Sequence, residues 1–378
     1  MKKLLPLFII AFFGVTMFEI SLKTPMWMDE YVFYRLSSGL PSYSTSVEWL
    51  YQDRPAMLSL TQDWDADGFD SRAALSSTYN SPIYPHTPLA TIIVWPLVKT
   101  VNILVDYNII PHLEQQPGLS PDVTTNPEAL ASLKAETATI ILRCVSIVLA
   151  MTSFWLIYKV LLTMIGKYAL FFALPIAGST SLLSGAMFFY WDVFMAFFFV
   201  LTLYLMVCHP HSKWKYVTAC CLVNTKMFLG IAFLFPLFVQ EFVDDYKTGW
   251  KWPIPGWKMA LPALSIIPFY IATIVVTHDP FYVIGHYTAQ MPQHDFIYAI
   301  TSLKDYVVMC WNLGMFWYVP MTIPILFYFK KYPALASFWL IVFVYGWATG
   351  MGMTHLSNLL YSGALVFPLV AYEFHLAR

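Results

Sequence analysis

Two adjacent carboxylates, Asp29 and Glu30, follow closely after the first apolar stretch of the chain, Leu4 to Ile20. Acidic side chains are costly to hold near lipid, so an acid at a membrane surface is a functional candidate by default. A carboxylate in such a place can act as a general base or bind a divalent metal ion. The alternative is a solvated acidic pair that opens an extramembrane loop. The pair alone leaves both interpretations open.

A lysine in the middle of an apolar run is the second candidate. Lys226 lies within residues 216–241, where an isolated ammonium is expensive in lipid. The charge is accommodated if the chain turns back at Asn224-Thr225-Lys226, so that two short helices meet at an aqueous cavity. The alternative is one continuous helix, from which the long Lys226 side chain reaches the headgroup region.

The composition predicts the kind of fold that must position these residues. Of the 378 residues, 58% are hydrophobic and 11% are charged, whereas soluble domains carry about 25% charged residues. Several apolar runs approach the roughly 20 residues needed to cross a bilayer. We therefore expect an all-α polytopic membrane protein. The formal net charge of -1 gives no case for a nucleic-acid partner. The five cysteines lie in or beside apolar segments, so no disulfide framework is implied.

The distribution of lysine predicts the topology, because Lys and Arg are enriched in cytoplasmic loops. Candidate spans cover residues 138–158, 168–188, 192–208, 216–241, 258–277, 306–329, 333–350 and 356–375. A cytoplasmic N-terminus places a long first loop, 23–135, outside. The basic clusters then all face the cytoplasm only if the chain turns back at Lys226. The same count requires that an apolar segment at 89–105 lies at the interface as a juxtamembrane helix rather than crossing.

In this topology acids, a lysine and histidines converge on the extracytoplasmic side. Asp192 emerges at the outer end of one span, and the loop 278–305 begins at His278. That loop is either a mobile cover over a site or an ordinary connector. Its histidines do not have a zinc-binding spacing, and the chain carries no nucleotide-binding glycine motif.

Five weak motifs occur in an order typical of one family. They are Trp27-Met28-Asp29-Glu30, Tyr84-Pro85-His86-Thr87-Pro88-Leu89, Leu142-Arg143-Cys144-Val145-Ser146, Trp191-Asp192 and Asn224-Thr225-Lys226. Their order and topology resemble the GT-C superfamily of integral-membrane glycosyltransferases, which includes protein O-mannosyltransferases and the aminoarabinose transferase acting on lipid A. The resemblance covers roughly residues 1–240. It departs from the family where His86-Thr87 separates two prolines that are often adjacent. We also expect no soluble C-terminal domain after Arg378, although many relatives carry one.

The resemblance implies a single GT-C-like membrane domain over residues 1–378, with about 9–11 transmembrane helices. It implies an inverting glycosyltransferase that moves one sugar from a polyprenyl-phosphate carrier to an acceptor hydroxyl on a lipid, glycan or protein. The site would face the extracytoplasmic side of a membrane, expected to be the bacterial inner membrane. No cofactor is expected, although relatives in the oligosaccharyl branch bind a divalent cation.

The resemblance also assigns roles to residues. Asp29 would be the general base, with Glu30 and Asp192 as further catalytic acids. Lys226 would hold the donor phosphate. Arg143 would assist it, or would extend from its helix start to the headgroups. Sugar or acceptor binding falls to Tyr31, Tyr34, Tyr84, His86 and His278, although aromatic residues also form membrane-interface belts.

Two other functions remain open. A glycan polymerase or ligase of a different membrane fold also uses a lipid carrier, but it would rely on outer-loop arginines where acids dominate here. A transporter would show an inverted repeat, and none is evident in the sequence.

Overall fold

The computed structural model describes residues 5–23, 30, 89–107, 109, 127–170, 173–174, 189, 191–249, 254–278, 280–281 and 337. Within these residues all regular structure is helical and no strand occurs, as the composition predicts. The α-helices are α1 (Leu5–Lys23), α2 (Leu89–Asp106), α3 (Pro127–Ile165), α4 (Trp191–Cys208), α5 (Trp214–Val223), α6 (Met227–Lys247), α7 (Trp257–Ala260) and α8 (Ile267–Thr277). Two 3₁₀ segments, Gly166–Tyr168 and Leu261–Ile266, follow α3 and α7.

Four stretches of these helices are long and apolar enough to cross a membrane. They are Leu5–Leu22, Leu89–Asp106, Thr137–Thr163 and Trp257–Val275. Two shorter apolar helices cover Val193–Cys208 and Trp214–Val223. These helices agree with an all-helical membrane protein. The prediction of 9–11 spans in a GT-C-like bundle stays a prediction, because the spans 306–329, 333–350, 356–375 and most of 168–188 lie outside the described residues.

Helix α2 has apolar side chains on all sides. Its buried face consists of Ala90, Val94, Val98, Val101 and Val105, spaced at the helical repeat. Its exposed side chains include Ile92, Ile93, Trp95 and Ile103. An interfacial amphipathic helix would expose a strongly polar face instead, so this pattern suits contact with lipid. The expectation that α2 does not cross the membrane rests on the lysine count and stays a prediction.

Helix α3 is longer than the sequence suggested. The sequence predicts a span at 138–158, but one helix runs from Pro127 to Ile165. Proline is favoured in the first turn of a helix, and no glycine or proline interrupts the sequence until Gly166. Gly166 adopts a left-handed φ of 59°, which ends the helix. The change from polar to apolar residues therefore coincides with no break in the helix.

The described residues belong to two compact units. One contains those within 1–24, 143–266 and 291–378, and the other contains those within 25–142 and 267–290. Helices α4, α5 and α6 all belong to the first unit, and α4 packs against both α5 and α6. These three helices carry two of the predicted site residues, Asp192 and Lys226.

The chain reverses direction between α5 and α6. Lys215 near the start of α5 and Glu241 near the end of α6 form an ion pair, with 2.8 Å between Nζ and Oε2. In one continuous helix these two residues would lie about 39 Å apart at 1.5 Å per residue. The predicted turn at Asn224-Thr225-Lys226 is therefore confirmed, and the continuous-helix alternative is wrong. We call the α5–α6 pair the helical hairpin.

A buried polar cluster fixes the register of the helical hairpin at the end opposite its turn. Lys215 donates to both oxygens of the Glu241 carboxylate, and the Tyr216 hydroxyl donates to Oε1 at 2.7 Å. Both Lys215 and Glu241 are buried. A buried charge that loses its partner is strongly destabilising, whereas replacement of the whole pair by apolar side chains is often tolerated.

We predict that each single substitution in this pair costs more than the double substitution. Lys215→Met or Glu241→Leu should each lower stability by about 3–5 kcal/mol, because the remaining charge is buried alone. Lys215→Met/Glu241→Leu should recover most of that loss. All variants carry Tyr216→Phe, so that an unpaired hydroxyl does not confuse the comparison. Thermal unfolding of the detergent-solubilised proteins measures the effect. A double variant that unfolds below both singles would contradict this role for the pair.

Candidate functional site

The turn of the helical hairpin is built by side chains that end helix α5. The Asn224 amide donates from Nδ2 to the carbonyl oxygen of Cys220 at 2.9 Å, and the Thr225 hydroxyl donates to that of Cys221 at 2.8 Å. The backbone N–H of Thr225 donates to the carbonyl of Leu222. The last carbonyls of a helix need partners outside the helical pattern. Asn224 and Thr225 supply them, and helix α5 ends at Val223.

Lys226 begins helix α6 from an extended backbone conformation. Its φ of -149° and ψ of 97° lie outside the helical region, and its carbonyl accepts the first helical hydrogen bond, from the N–H of Gly230. Lys226 is therefore the N-cap residue of α6. Its side chain is 4% exposed although it carries an ammonium.

The electrostatics of this position favour an anion. The N-terminus of a helix carries about half a positive charge from the aligned peptide dipoles, and Lys226 adds a full one. No acidic residue occurs in the first turn of α6, which begins Met227-Phe228-Leu229. A cation at the positive end of a helix is the reverse of the favourable arrangement. Helix N-termini attract anions through the dipole and their N–H groups.

A glycine lets the two arms of the helical hairpin approach closely. A Cβ placed on Gly230 would lie 2.6 Å from the carbonyl oxygen of Leu222 and 2.8 Å from the Cα of Val223. Both are backbone atoms of α5, so no rotamer change can relieve the overlap. The first turn of α6 therefore packs against the last turn of α5 only because residue 230 lacks a side chain.

Arg143 is buried completely and contacts the end of helix α1. Its Nη1 donates to the carbonyl oxygen of Ser21 at 2.6 Å. Ser21 supplies one of the last four carbonyls of α1, where a cation is favoured by the helix dipole. The alternative of an arginine that extends to the headgroups is therefore wrong. Its role at the donor phosphate stays a prediction.

The other predicted site residues are only partly described. Asp192 lies in the first turn of α4. Glu30 is helical and buried completely, so a solvated acidic pair does not describe it. His278 is exposed and ends helix α8, with a left-handed φ of 56° and its N–H donating to Ile274. Other predicted residues lie outside the described part of the chain: Asp29, Tyr31, Tyr34, Tyr84 and His86.

Among the described residues, no group of three or more His, Cys, Asp or Glu side chains could hold a metal ion. The expectation of a metal-independent reaction concerns Asp29 as well, so it stays a prediction.

The sequence reasoning missed Gly230 as a site residue. A glycine four residues after the lysine, inside an apolar helical run, was the available signal, because such a glycine is unfavourable in a helix without a packing reason. Its importance depends on the approach of α5, which no local pattern shows.

A comparison of the chain with protein-family models, curated protein sequences and solved structures finds no match. We therefore argue the function from the geometry of the described residues.

We predict that Gly230→Ala disrupts the helical hairpin. Alanine favours a helix over glycine by about 1 kcal/mol, so this substitution would stabilise α6 if space allowed. The overlap with the α5 backbone should instead lower the unfolding temperature of the purified protein. Gly14→Ala is the matched control, because its Cβ would meet only the Met151 and Ile147 side chains, at 3.7 Å or more. Equal unfolding temperatures for the two variants would contradict the close approach at Gly230.

Proposed function

We propose that this protein is an inverting glycosyltransferase that uses a polyprenyl-phosphate sugar, and that Lys226 binds the phosphate of the donor. The observation that carries the proposal is the burial of the Lys226 side chain at the N-terminus of α6, in the turn of the helical hairpin. Lysine binds phosphate as a point charge, and helix N-termini bind phosphate through the dipole and free N–H groups. The membrane-spanning helices suit a donor with a lipid tail.

The proposed reaction is a single displacement at the anomeric carbon. The acceptor hydroxyl oxygen forms a bond to that carbon while the bond from the carbon to the donor phosphate oxygen breaks. Asp29 takes the hydroxyl proton as general base. The phosphate leaves with the bonding electron pair, and Lys226 stabilises the developing negative charge. Attack opposite to the leaving group inverts the anomeric configuration, as in one-step glycoside chemistry.

The predicted supporting residues have places in this scheme. Glu30 and Asp192 are proposed to orient Asp29, the sugar or Lys226, and Arg143 to assist at the phosphate. Tyr31, Tyr34, Tyr84, His86 and His278 are proposed to contact the sugar or the acceptor, which is a lipid, a glycan or a protein. The site is proposed to face the extracytoplasmic side of a bacterial inner membrane.

One observation also favours a second function, transport of an anionic substrate. Transporters bind anions at the N-termini of helices that are broken within the membrane, and Lys226 lies at a helix N-terminus within an apolar run. The two functions differ in their product. A transporter would accumulate a radiolabelled anion inside proteoliposomes, whereas a transferase would release sugar-free polyprenyl phosphate.

We predict that Lys226→Ala weakens binding of the donor phosphate. A hydrogen bond to a charged group is worth about 1.5–3 kcal/mol, which is roughly a 10- to 150-fold loss of affinity. Lys226→Arg should retain most of the affinity, because it keeps the charge. The probe is synthetic polyprenyl phosphate without a sugar, and its binding is measured by calorimetry on the folded, detergent-purified protein.

The matched control is Lys247→Ala, which removes the same charge from the exposed C-terminal end of α6. It should leave polyprenyl-phosphate affinity unchanged. Wild-type affinity in folded Lys226→Ala would show that this lysine is not the phosphate ligand.

We predict that Asp29→Asn abolishes most sugar transfer while donor binding stays intact. Loss of a general base typically lowers the rate about 10²- to 10⁴-fold, because the amide cannot accept the proton as a carboxylate does. The assay offers the purified protein polyprenyl-phosphate mannose, glucose, arabinofuranose and aminoarabinose. Glu30→Gln is the comparison and should be milder. Near-normal turnover by Asp29→Asn, or a larger loss in Glu30→Gln, would overturn the assignment of the base.

A further inference from the structure

A side-chain hydrogen bond ties the turn of the helical hairpin to a distant part of the chain. The Asn224 amide donates from Nδ2 to the hydroxyl oxygen of Ser265 at 2.6 Å, across 41 residues of sequence. Ser265 in turn donates to the carbonyl oxygen of Pro262 at 2.6 Å. The Ser265 hydroxyl therefore accepts from the turn and donates to its own segment, which fixes its orientation.

Ser265 belongs to the 3₁₀ segment Leu261–Ile266, which packs against helix α5. This segment interrupts the otherwise α-helical stretch from Trp257 to Thr277. Stretches of 3₁₀ helix inside a longer helix often occur where the local geometry serves a function. Here the 3₁₀ segment contains Ser265, which accepts the hydrogen bond from Asn224 in the turn.

The side chain of Asn224 makes two hydrogen bonds, and the one to Ser265 is separate from the one that helps to end helix α5. Its amide group also donates to the carbonyl of Cys220 and so helps to end helix α5. Helix α5 would still end at the same place without Ser265, because that bond and the Thr225 cap remain. The bond to Ser265 therefore adds no local helix cap. It fixes the position of the turn relative to the 3₁₀ segment.

We propose that Asn224 and Ser265, which we call the turn latch, are positioning residues for the ammonium of Lys226. Lys226 follows Asn224 by two residues, so displacement of Asn224 moves the start of α6 and the lysine with it. Electrostatic stabilisation of a leaving phosphate depends on a cation held in place before the reaction. The inference rests on the proposed function, since it assigns the turn latch to the phosphate site.

The decisive variant is Ser265→Ala, which removes the latch acceptor and leaves the cap of α5 in place. One neutral hydrogen bond contributes about 0.5–1.5 kcal/mol, so we expect polyprenyl-phosphate affinity to fall roughly two- to tenfold. Because a displaced ammonium also stabilises the leaving phosphate less, kcat/KM for the sugar donor should fall by at least a similar factor. Ser265→Thr keeps the hydroxyl and should restore wild-type affinity.

The matched control is Thr202→Val. Thr202 in α4 donates to the hydroxyl of Thr218 in α5 at 2.8 Å, and this is also a side-chain hydrogen bond that ties α5 to another segment. Thr218 lies about 9 Å along the helix from Asn224, at 1.5 Å per residue. Thr202→Val should lower the unfolding temperature while leaving polyprenyl-phosphate affinity unchanged. Equal losses of polyprenyl-phosphate affinity in Thr202→Val and Ser265→Ala would show that the turn latch contributes only to the general stability of the protein. That result would overturn the proposal.

A double-substitution cycle with Lys226 completes the test. If the turn latch acts through the ammonium, Ser265→Ala should not weaken polyprenyl-phosphate binding further in the Lys226→Ala background. Additive losses would overturn the inference. Wild-type affinity in Ser265→Ala, with weakened binding in Lys226→Ala, would reject the turn latch and leave the proposed function standing. Wild-type affinity in Lys226→Ala would reject the proposed function itself.

Discussion

The buried ammonium of Lys226 at the positive end of helix α6 is the constraint on which the helical hairpin depends. A cation in an apolar run excludes a simple span, because its charge would lie in lipid. The chain responds by ending α5 with polar side chains, turning at 224–226 and starting α6 at the lysine. Gly230 then permits the backbones to meet. The polar end of α5, the turn and Gly230 together accommodate a charged residue at the point where the chain reverses direction.

The helical hairpin has a buried lysine at each end, Lys215 and Lys226, in different surroundings. Lys215 in α5 forms a buried ion pair with Glu241 in α6. Lys226 lies instead at the N-terminus of α6. The ion pair joins the two helices at the other end of the hairpin. Helix N-termini attract anions, and the proposed function assigns the donor phosphate to this end.

Features that depend on one segment of the chain could be predicted from the sequence, whereas features that depend on tertiary contacts could not. The helical class followed from composition, and the break at Lys226 followed from a charge within an apolar run. The full length of α3 was not predicted, although no glycine or proline lies between Pro127 and Gly166. The roles of Gly230 and Ser265 did not follow from the sequence pattern, since each matters through a tertiary contact with α5 that is set by the packing of the unit.

A second helix end, that of α1, is also contacted by a polar side chain, that of Arg143. Its guanidinium is buried against the carbonyl of Ser21 in the last turn of α1, and the chain leaves α1 at Lys23, six residues before Asp29. Asn224 and Thr225 contact the last carbonyls of α5, just before the proposed phosphate ligand, and Arg143 contacts a carbonyl in the last turn of α1. Helix ends are suited to such contacts, because their unpaired carbonyls accept hydrogen bonds that the helix interior cannot.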